Sequence, residues 1–172
     1  MKFKICGVKE VEEIIKIGKI KEFTYCISIG DPNAKYPEQL NEFKEKLLRL
    51  EFVDIDEATS WQSGLPDWRD LPDIAPNPEI VKKILAFSEK FLNDDSISIL
   101  IHCHMGVSRS TATGLIILYK KLQNEKQAMD VLLSICEDPL PNTYLIGYAD
   151  QIMNSNLSDI IPRFGVERFK KD

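Results

Sequence analysis

The sequence has few residues that could hold a metal ion. It contains two histidines, His102 and His104, and no second pair of ligands accompanies them. Neighbouring side chains of an extended strand point to opposite faces, so a strand ending in this segment would not direct both rings at one ion. We therefore expect no metal and no other cofactor.

The sequence also lacks an excess of positive charge and a long apolar run. Its formal net charge is -5, which gives no electrostatic help in approaching a nucleic acid or an anionic membrane. No apolar stretch has the length needed to cross a bilayer. The first seven residues do not have the flanks of a signal peptide. These features predict a cytoplasmic protein without nucleic-acid or membrane partners, and four free thiols: Cys6, Cys26, Cys103 and Cys136.

Repeats and low-complexity segments are missing as well, and 44% hydrophobic with 28% charged residues is an ordinary globular balance. We expect a single domain over residues 1–172. The apolar patterns predict strands at 3–6, 23–29, 48–53 and 98–102. They predict helices at 8–17, 37–47, 79–91, 109–122, 127–136 and 142–153. This alternation is typical of an α/β fold with a mainly parallel central sheet flanked by helices.

Two segments interrupt this pattern. Gly30-Asp31-Pro32 ends the second strand with residues that favour a turn. The stretch 54–78 is long and irregular, with four prolines and both tryptophans, Trp61 and Trp68. A loop of this length inside a compact domain is usually functional or mobile.

The most informative segment runs from His102 to Ser110, between a buried strand and an apolar helix. A loop that joins the carboxyl end of a strand to the amino end of a helix points several backbone N–H groups at one place. The helix dipole adds partial positive charge there. Such a loop is suited to bind an oxyanion of the size of phosphate.

Each side chain of this segment suits one step of phosphate chemistry. The loop amides favour the thiolate of Cys103, which is a strong nucleophile. Arg109 can grip two phosphate oxygens with its planar guanidinium. Ser110 can donate its hydroxyl to the sulfur, and His102 can orient the cysteine. We expect the phosphate to be bound by a set of six residues: His104, Met105, Gly106, Val107, Ser108 and Arg109.

The order His-Cys-x-x-Gly-x-x-Arg-Ser resembles the signature of the cysteine-based protein tyrosine and dual-specificity phosphatase superfamily, and the strand ends Gly-Asp-Pro and Phe-Val-Asp resemble its compact bacterial branch. The resemblance implies a tyrosine/dual-specificity phosphatase-like fold and a phosphocysteine intermediate on Cys103. It also implies a supporting role for Asn142, whose side chain would tie down the phosphate loop.

The general acid that protonates the leaving oxygen is an aspartate upstream of the signature in this superfamily. Four residues are candidates: Asp54, Asp56, Asp70 and Asp73. We favour Asp54 because the end of a strand would anchor it, with Asp73 next. An apparent insertion near 58–68 breaks the simple count of residues, so both pairs stay open.

The resemblance predicts a hydrolase for a phosphorylated protein or a small phosphomonoester. No lysine lies between Cys103 and Arg109, which favours a substrate with a single phosphate over polyphosphorylated lipids or inositols. Three alternatives stay open: a nucleotide or inositol phosphatase, a catalytically silent phosphoprotein-binding module, and a sulfurtransferase. A buried structural role for Cys103 is the simplest non-catalytic interpretation.

Overall fold

A four-stranded sheet forms the centre of the molecule. The computed structural model describes residues 1–55 and 74–161. The strands are β1 (Lys2–Gly7), β2 (Tyr25–Gly30), β3 (Leu47–Glu51) and β4 (Ser98–Cys103). They lie in the order β1-β4-β2-β3, and each neighbouring pair is parallel. The predicted α/β fold with a parallel central sheet is confirmed, and all four carboxyl ends meet at one edge.

Helices flank the sheet. They are α1 (Val8–Lys16), α2 (Pro78–Ser88), α3 (Arg109–Leu122), α4 (Glu125–Ile135) and α5 (Thr143–Met153), with short 3-10 segments at Lys19–Glu22, Glu38–Lys46 and Leu157–Asp159. Asparagine side chains cap three of them: Asn77, Asn124 and Asn142 each accept a hydrogen bond from the backbone N–H three residues on. These caps satisfy amides that a helix start otherwise leaves unpaired.

Helix α3 is the centre of the larger core. Its residues from Arg109 to Tyr119 are all buried, and they pack with the alternate side chains of β4 that include Ile99 and Ile101. The other face of the sheet carries a smaller cluster, in which Val11 of α1 and Leu40 pack on Leu100. Because β4 is covered on both faces, the loop that follows it has a rigid support.

The helix predicted at residues 37–47 is not an α-helix. Residues 37–47 were expected to form an α-helix, but Glu38–Lys46 is a 3-10 segment interrupted at Lys44, whose φ is 52°. Leu40 is the one fully buried residue in it, so no apolar stripe holds a regular helix against the sheet. β3 then starts directly at Leu47, and the chain must turn sharply before it.

None of the helices among residues 1–55 and 74–161 has the length and apolar character that crossing a membrane requires.

Candidate active site

The loop between β4 and α3, residues 104–108, lies at the carboxyl edge of the sheet, and we call it the β4–α3 loop. Cys103 is the last residue of β4 and is buried. The N–H of Gly106 donates to Sγ of Cys103 at 3.2 Å, and Oγ of Ser110 lies 3.2 Å from the same sulfur. The predicted proximity of Ser110 to Cys103 is therefore present.

Gly106 is required by the tight fold of this loop. Its φ is +81°, and a Cβ built on it would lie 2.4 Å from the carbonyl carbon of Cys6 and from the nitrogen of Gly7. Any other residue would be strained at this positive φ, and its Cβ would clash with backbone atoms of Cys6 and Gly7. The loop can therefore lie directly against the end of β1.

Two carbonyl groups of the β4–α3 loop accept hydrogen bonds from the segment that precedes α5. The carbonyl of Val107 accepts from the N–H of Leu140 at 3.0 Å, and that of Ser108 accepts from the N–H of Asn142 at 3.4 Å. The N–H and C=O of a peptide unit point in opposite directions. Holding the carbonyls outward therefore turns the amides that follow them toward the inside of the loop.

Arg109 is only 3% exposed, although it carries a charge. Its Nη1 donates to Oδ1 of Asp31 and to the carbonyl oxygen of Phe52, both at 2.7 Å. Its Nε lies 3.5 Å from Oδ2 of Asp54. Two carboxylates thus compensate the buried guanidinium, which would otherwise be costly to desolvate.

Asp31 is a site residue that the sequence analysis missed. The sequence indicated a turn at Asp31. It did not indicate that Asp31 follows β2, the strand that pairs with β4. Carboxyl ends of adjacent parallel strands meet at one edge, and ligands of open α/β sheets bind there. That rule would have placed Asp31 beside the β4–α3 loop.

Asp54 reaches the site as expected for a residue that follows a strand end. Its Oδ1 accepts from Oγ of Ser108 at 2.7 Å and from Nδ2 of Asn142 at 3.1 Å. Its side chain is 35% exposed, so it is open to solvent on one side. The other candidate acids, Asp56, Asp70 and Asp73, lie outside the described residues, as do Trp61 and Trp68.

Asn142 connects three parts of the structure. Its Oδ1 caps α5 by accepting from the N–H of Leu145 at 3.1 Å, and its Nδ2 also donates to the carbonyl of Ile55 at 2.9 Å. The side chain therefore fastens the segment after β3, while the backbone N–H of Asn142 binds the β4–α3 loop. The resemblance had assigned the loop contact to the side chain.

His102 lies on the face of β4 opposite to the Cys103 side chain. It is in register with Cys6 of β1 and Ser28 of β2, and Ser28 is in register with Arg49 of β3. Burial, helped by the positive charge of Arg49, lowers the pKa of His102 to about 4. The imidazole is therefore neutral at physiological pH.

The rim of the β4–α3 loop is formed by His104 and Met105, both exposed, and Met105 is 72% exposed despite its apolar side chain. A recess of about 50 Å³ is lined in part by Asp31, Cys103 and His104. Arg49 and His102 also line this recess, which therefore extends to the face of β4 opposite to the Cys103 side chain.

The other cysteines are in apolar surroundings. Burial raises the pKa of Cys6 to about 12 and that of Cys136 to about 11, and burial also raises the pKa of Cys26. All four cysteines are free thiols, as predicted. Across residues 1–55 and 74–161, no three His, Cys, Asp or Glu side chains are grouped so that they could hold a metal ion.

No protein-family model matches the sequence, and no curated protein matches it. Solved structures do match, and the chain has the fold of protein tyrosine and dual-specificity phosphatases. The resemblance inferred from the signature is confirmed at the level of the fold.

Three solved structures illustrate the similarity. The PTP-2 phosphatase of Cydia pomonella has a TM-score of 0.60 and 13% identity, with 88% of this chain and 85% of that chain covered. DUSP15 has a TM-score of 0.59 and 15% identity, covering 88% and 82%. PTPMT1 has a TM-score of 0.56 and 14% identity, covering 89% and 92%, and it has also been solved with PI(5)P.

Proposed function

We propose that this protein hydrolyses phosphate monoesters through a phosphocysteine intermediate on Cys103. The observation that carries the proposal is the position of the Cys103 sulfur, 3.2 Å from both the N–H of Gly106 and the hydroxyl of Ser110, in a loop that runs directly into Arg109. An amide and a hydroxyl directed at one sulfur stabilise a thiolate, and the adjacent guanidinium supplies charge for a phosphate.

In the first step the thiolate attacks phosphorus, forming the S–P bond while the ester P–O bond breaks. The leaving oxygen takes a proton from the general acid, for which Asp54 is our candidate. Arg109 and the loop amides bind the equatorial oxygens, on which negative charge is spread.

In the second step water attacks phosphorus and gives a proton to the carboxylate, and the S–P bond breaks. The hydroxyl of Ser110 donates to the departing sulfur and so stabilises the thiolate as it forms. Inorganic phosphate then leaves, and the enzyme is restored to its starting protonation state.

Phosphotyrosine or mixed phosphoprotein residues are the substrates we favour. The β4–α3 loop carries no lysine or arginine before Arg109, so it offers a single permanent cation to a single phosphate. The fold is also used by PTPMT1, which has been solved with PI(5)P, so a singly phosphorylated inositol is the second candidate.

The test is hydrolysis of 4-nitrophenyl phosphate with and without vanadate, in the presence of EDTA. We expect turnover that vanadate blocks and EDTA leaves unchanged. Cys103→Ser should abolish it, whereas Cys136→Ser, a thiol outside the site, should retain the wild-type rate. Tight phosphopeptide binding without turnover would instead indicate a binding module, and thiocyanate formation from thiosulfate and cyanide would indicate a sulfurtransferase.

A panel of phosphopeptides, nucleotides and inositol phosphates then separates the substrate classes. A kcat/KM that is highest for phosphotyrosine peptides supports the protein phosphatase. A preference for nucleotides or inositol phosphates would assign the small-molecule alternative.

A further inference from the structure

The junction between β1 and α1 lies directly against the β4–α3 loop. The N–H of Val8, the first residue of α1, donates to the carbonyl of His104 at 3.1 Å. A Cβ built on Gly7 would lie 2.9 Å from the carbonyl oxygen of Met105 and 3.0 Å from that of His104. Two successive carbonyls of the loop therefore face bare backbone at this junction.

The start of α1 is suited to receive these carbonyls. The first N–H groups of a helix have no partner within the helix, and the dipole makes this end partially positive. Gly7 is the N-cap residue and offers no side-chain hydrogen bond of its own. The loop carbonyl of His104 accepts from Val8, the first of these unpaired N–H groups.

The orientation of these carbonyls decides where the loop amides point. Because N–H and C=O of one peptide unit are antiparallel, a His104 carbonyl directed at Val8 turns the N–H of Met105 the other way. The same holds for the Met105 carbonyl near Gly7 and the N–H of Gly106. That last N–H is found on Sγ of Cys103 at 3.2 Å.

We propose that Gly7 and Val8 are positioning residues for the phosphate-binding loop. They hold the carbonyls of His104 and Met105 outward, so that the amides of Met105 and Gly106 stay directed at the sulfur and at the phosphate oxygens. Both residues act through these carbonyls. The inference rests on the proposed function, because it assigns those amides to phosphate binding.

Val8→Pro tests the hydrogen bond with little change to the helix. Proline is favoured at the first position of a helix, where its missing N–H has no partner within the helix. Gly7 has φ -85° and ψ 165°, a conformation that suits a residue before proline. We expect kcat to fall about tenfold and the dissociation constant for tungstate to rise about tenfold, because the Met105 amide would no longer be held toward the anion.

The matched control is Glu125→Pro. Glu125 is the first residue of α4, and Asn124 before it has φ -149° and ψ 115°, which also suits a residue before proline. This variant places proline at the same helix position away from the loop. Its kcat and its tungstate affinity should equal those of the wild type.

Gly7→Ala tests the close approach independently. The added methyl group must push the carbonyls of His104 and Met105 away, so we expect weaker tungstate binding and slower alkylation of Cys103 by iodoacetamide at a fixed pH. Gly147→Ala is the control, because a Cβ at Gly147 meets nothing within 4 Å.

The outcomes separate the two proposals. A wild type that binds tungstate without turnover would overturn the phosphatase, while the binding measurements still decide the role of the junction. Wild-type tungstate affinity in both Val8→Pro and Gly7→Ala would overturn the positioning role. If circular dichroism shows one variant to be unfolded, the other decides. Unfolding of both would also count against the proposal, because the junction would then be a general structural requirement.

Discussion

Arg109 and Asp31 are joined by a hydrogen bond of 2.7 Å between Nη1 and Oδ1, although the two residues are separated by 78 positions in the sequence. The same Nη1 donates to the carbonyl of Phe52. One end of the guanidinium is therefore fixed by β2 and by the segment after β3. Nε makes no hydrogen bond, although it lies 3.5 Å from Oδ2 of Asp54. We expect a phosphate to engage Nε and Nη2, a pair that matches two oxygens in a bidentate arrangement.

We expect Asp31 to act by orienting Arg109. The Asp31 side chain is 60% exposed, so its ion pair is screened and worth about 1 kcal/mol or less. Asp31→Ala should raise KM for 4-nitrophenyl phosphate about fivefold. Asp31→Asn keeps an acceptor oxygen and should stay within about twofold of the wild type. Equal damage in both variants would mean that the charge of Asp31 matters more than its geometry.

Asp54→Asn tests the general acid. Asparagine keeps an oxygen acceptor for Ser108 and Asn142, so the local hydrogen bonds can persist. We expect kcat to fall about a hundredfold with phenyl phosphate, whose leaving group needs a proton, and far less with 4-nitrophenyl phosphate. The two substrates, assayed side by side, provide the measurement.

Equal losses with both substrates would indicate that Asp54 positions Arg109 and Ser108 and transfers no proton. An unchanged rate with phenyl phosphate would move the assignment to the other three aspartates. The corresponding variants Asp56→Asn, Asp70→Asn and Asp73→Asn then serve as the comparison.

Ser110→Ala should slow hydrolysis of the phosphocysteine intermediate more than its formation. Loss of a hydrogen bond to a departing thiolate corresponds to about 2 kcal/mol, or about a thirtyfold lower kcat. Stopped-flow assays with 4-nitrophenyl phosphate should show a burst of nitrophenolate equal to the enzyme concentration. Ser134→Ala, an exposed serine on α4, is the control, and absence of a burst in Ser110→Ala would contradict the role.

His102 should make the protein less stable in mild acid. Its pKa falls from 6.5 to about 4 on folding, so between these values the unfolded chain binds the proton and the folded chain does not. The free energy of unfolding should therefore decrease as pH falls below about 6.5, by about 2 kcal/mol between pH 8 and pH 5 from this residue.

Urea unfolding of the wild type and of His102→Asn at both pH values measures this contribution, because the carboxylates contribute equally to both proteins. The variant should show a pH dependence smaller by the same amount. Parallel curves for the two proteins would mean that His102 titrates alike in the folded and unfolded chain.

Much of the fold follows from local patterns. The strand that ends at Cys103 is a continuous apolar run, and α3 begins at the signature arginine, so both could be predicted from adjacent residues. The α-helix expected at 37–47 failed because a helix needs a buried stripe, and Leu40 provides one buried position there. Helix α4 begins at Glu125, two residues earlier than expected, because Asn124 caps it.

The candidate site divides in the same way. Cys103, Gly106, Arg109 and Ser110 are contiguous, so their chemistry could be inferred from spacing. The roles of Asp31 and Val8 depend on which strands are neighbours, and the sheet order β1-β4-β2-β3 is a tertiary property. Local sequence patterns therefore do not predict that these two residues contact residues 104–109.

The anion site forms only when the strands of the parallel sheet have paired. Asp31, Asp54, Arg109 and Asn142 come from four distant segments and meet only after β2, β3 and β4 have paired. Contacts this far apart in sequence form late, because loop closure must come first. Recovery of oxyanion binding after dilution from denaturant will therefore track the slowest pairing step, whereas helix content will return earlier.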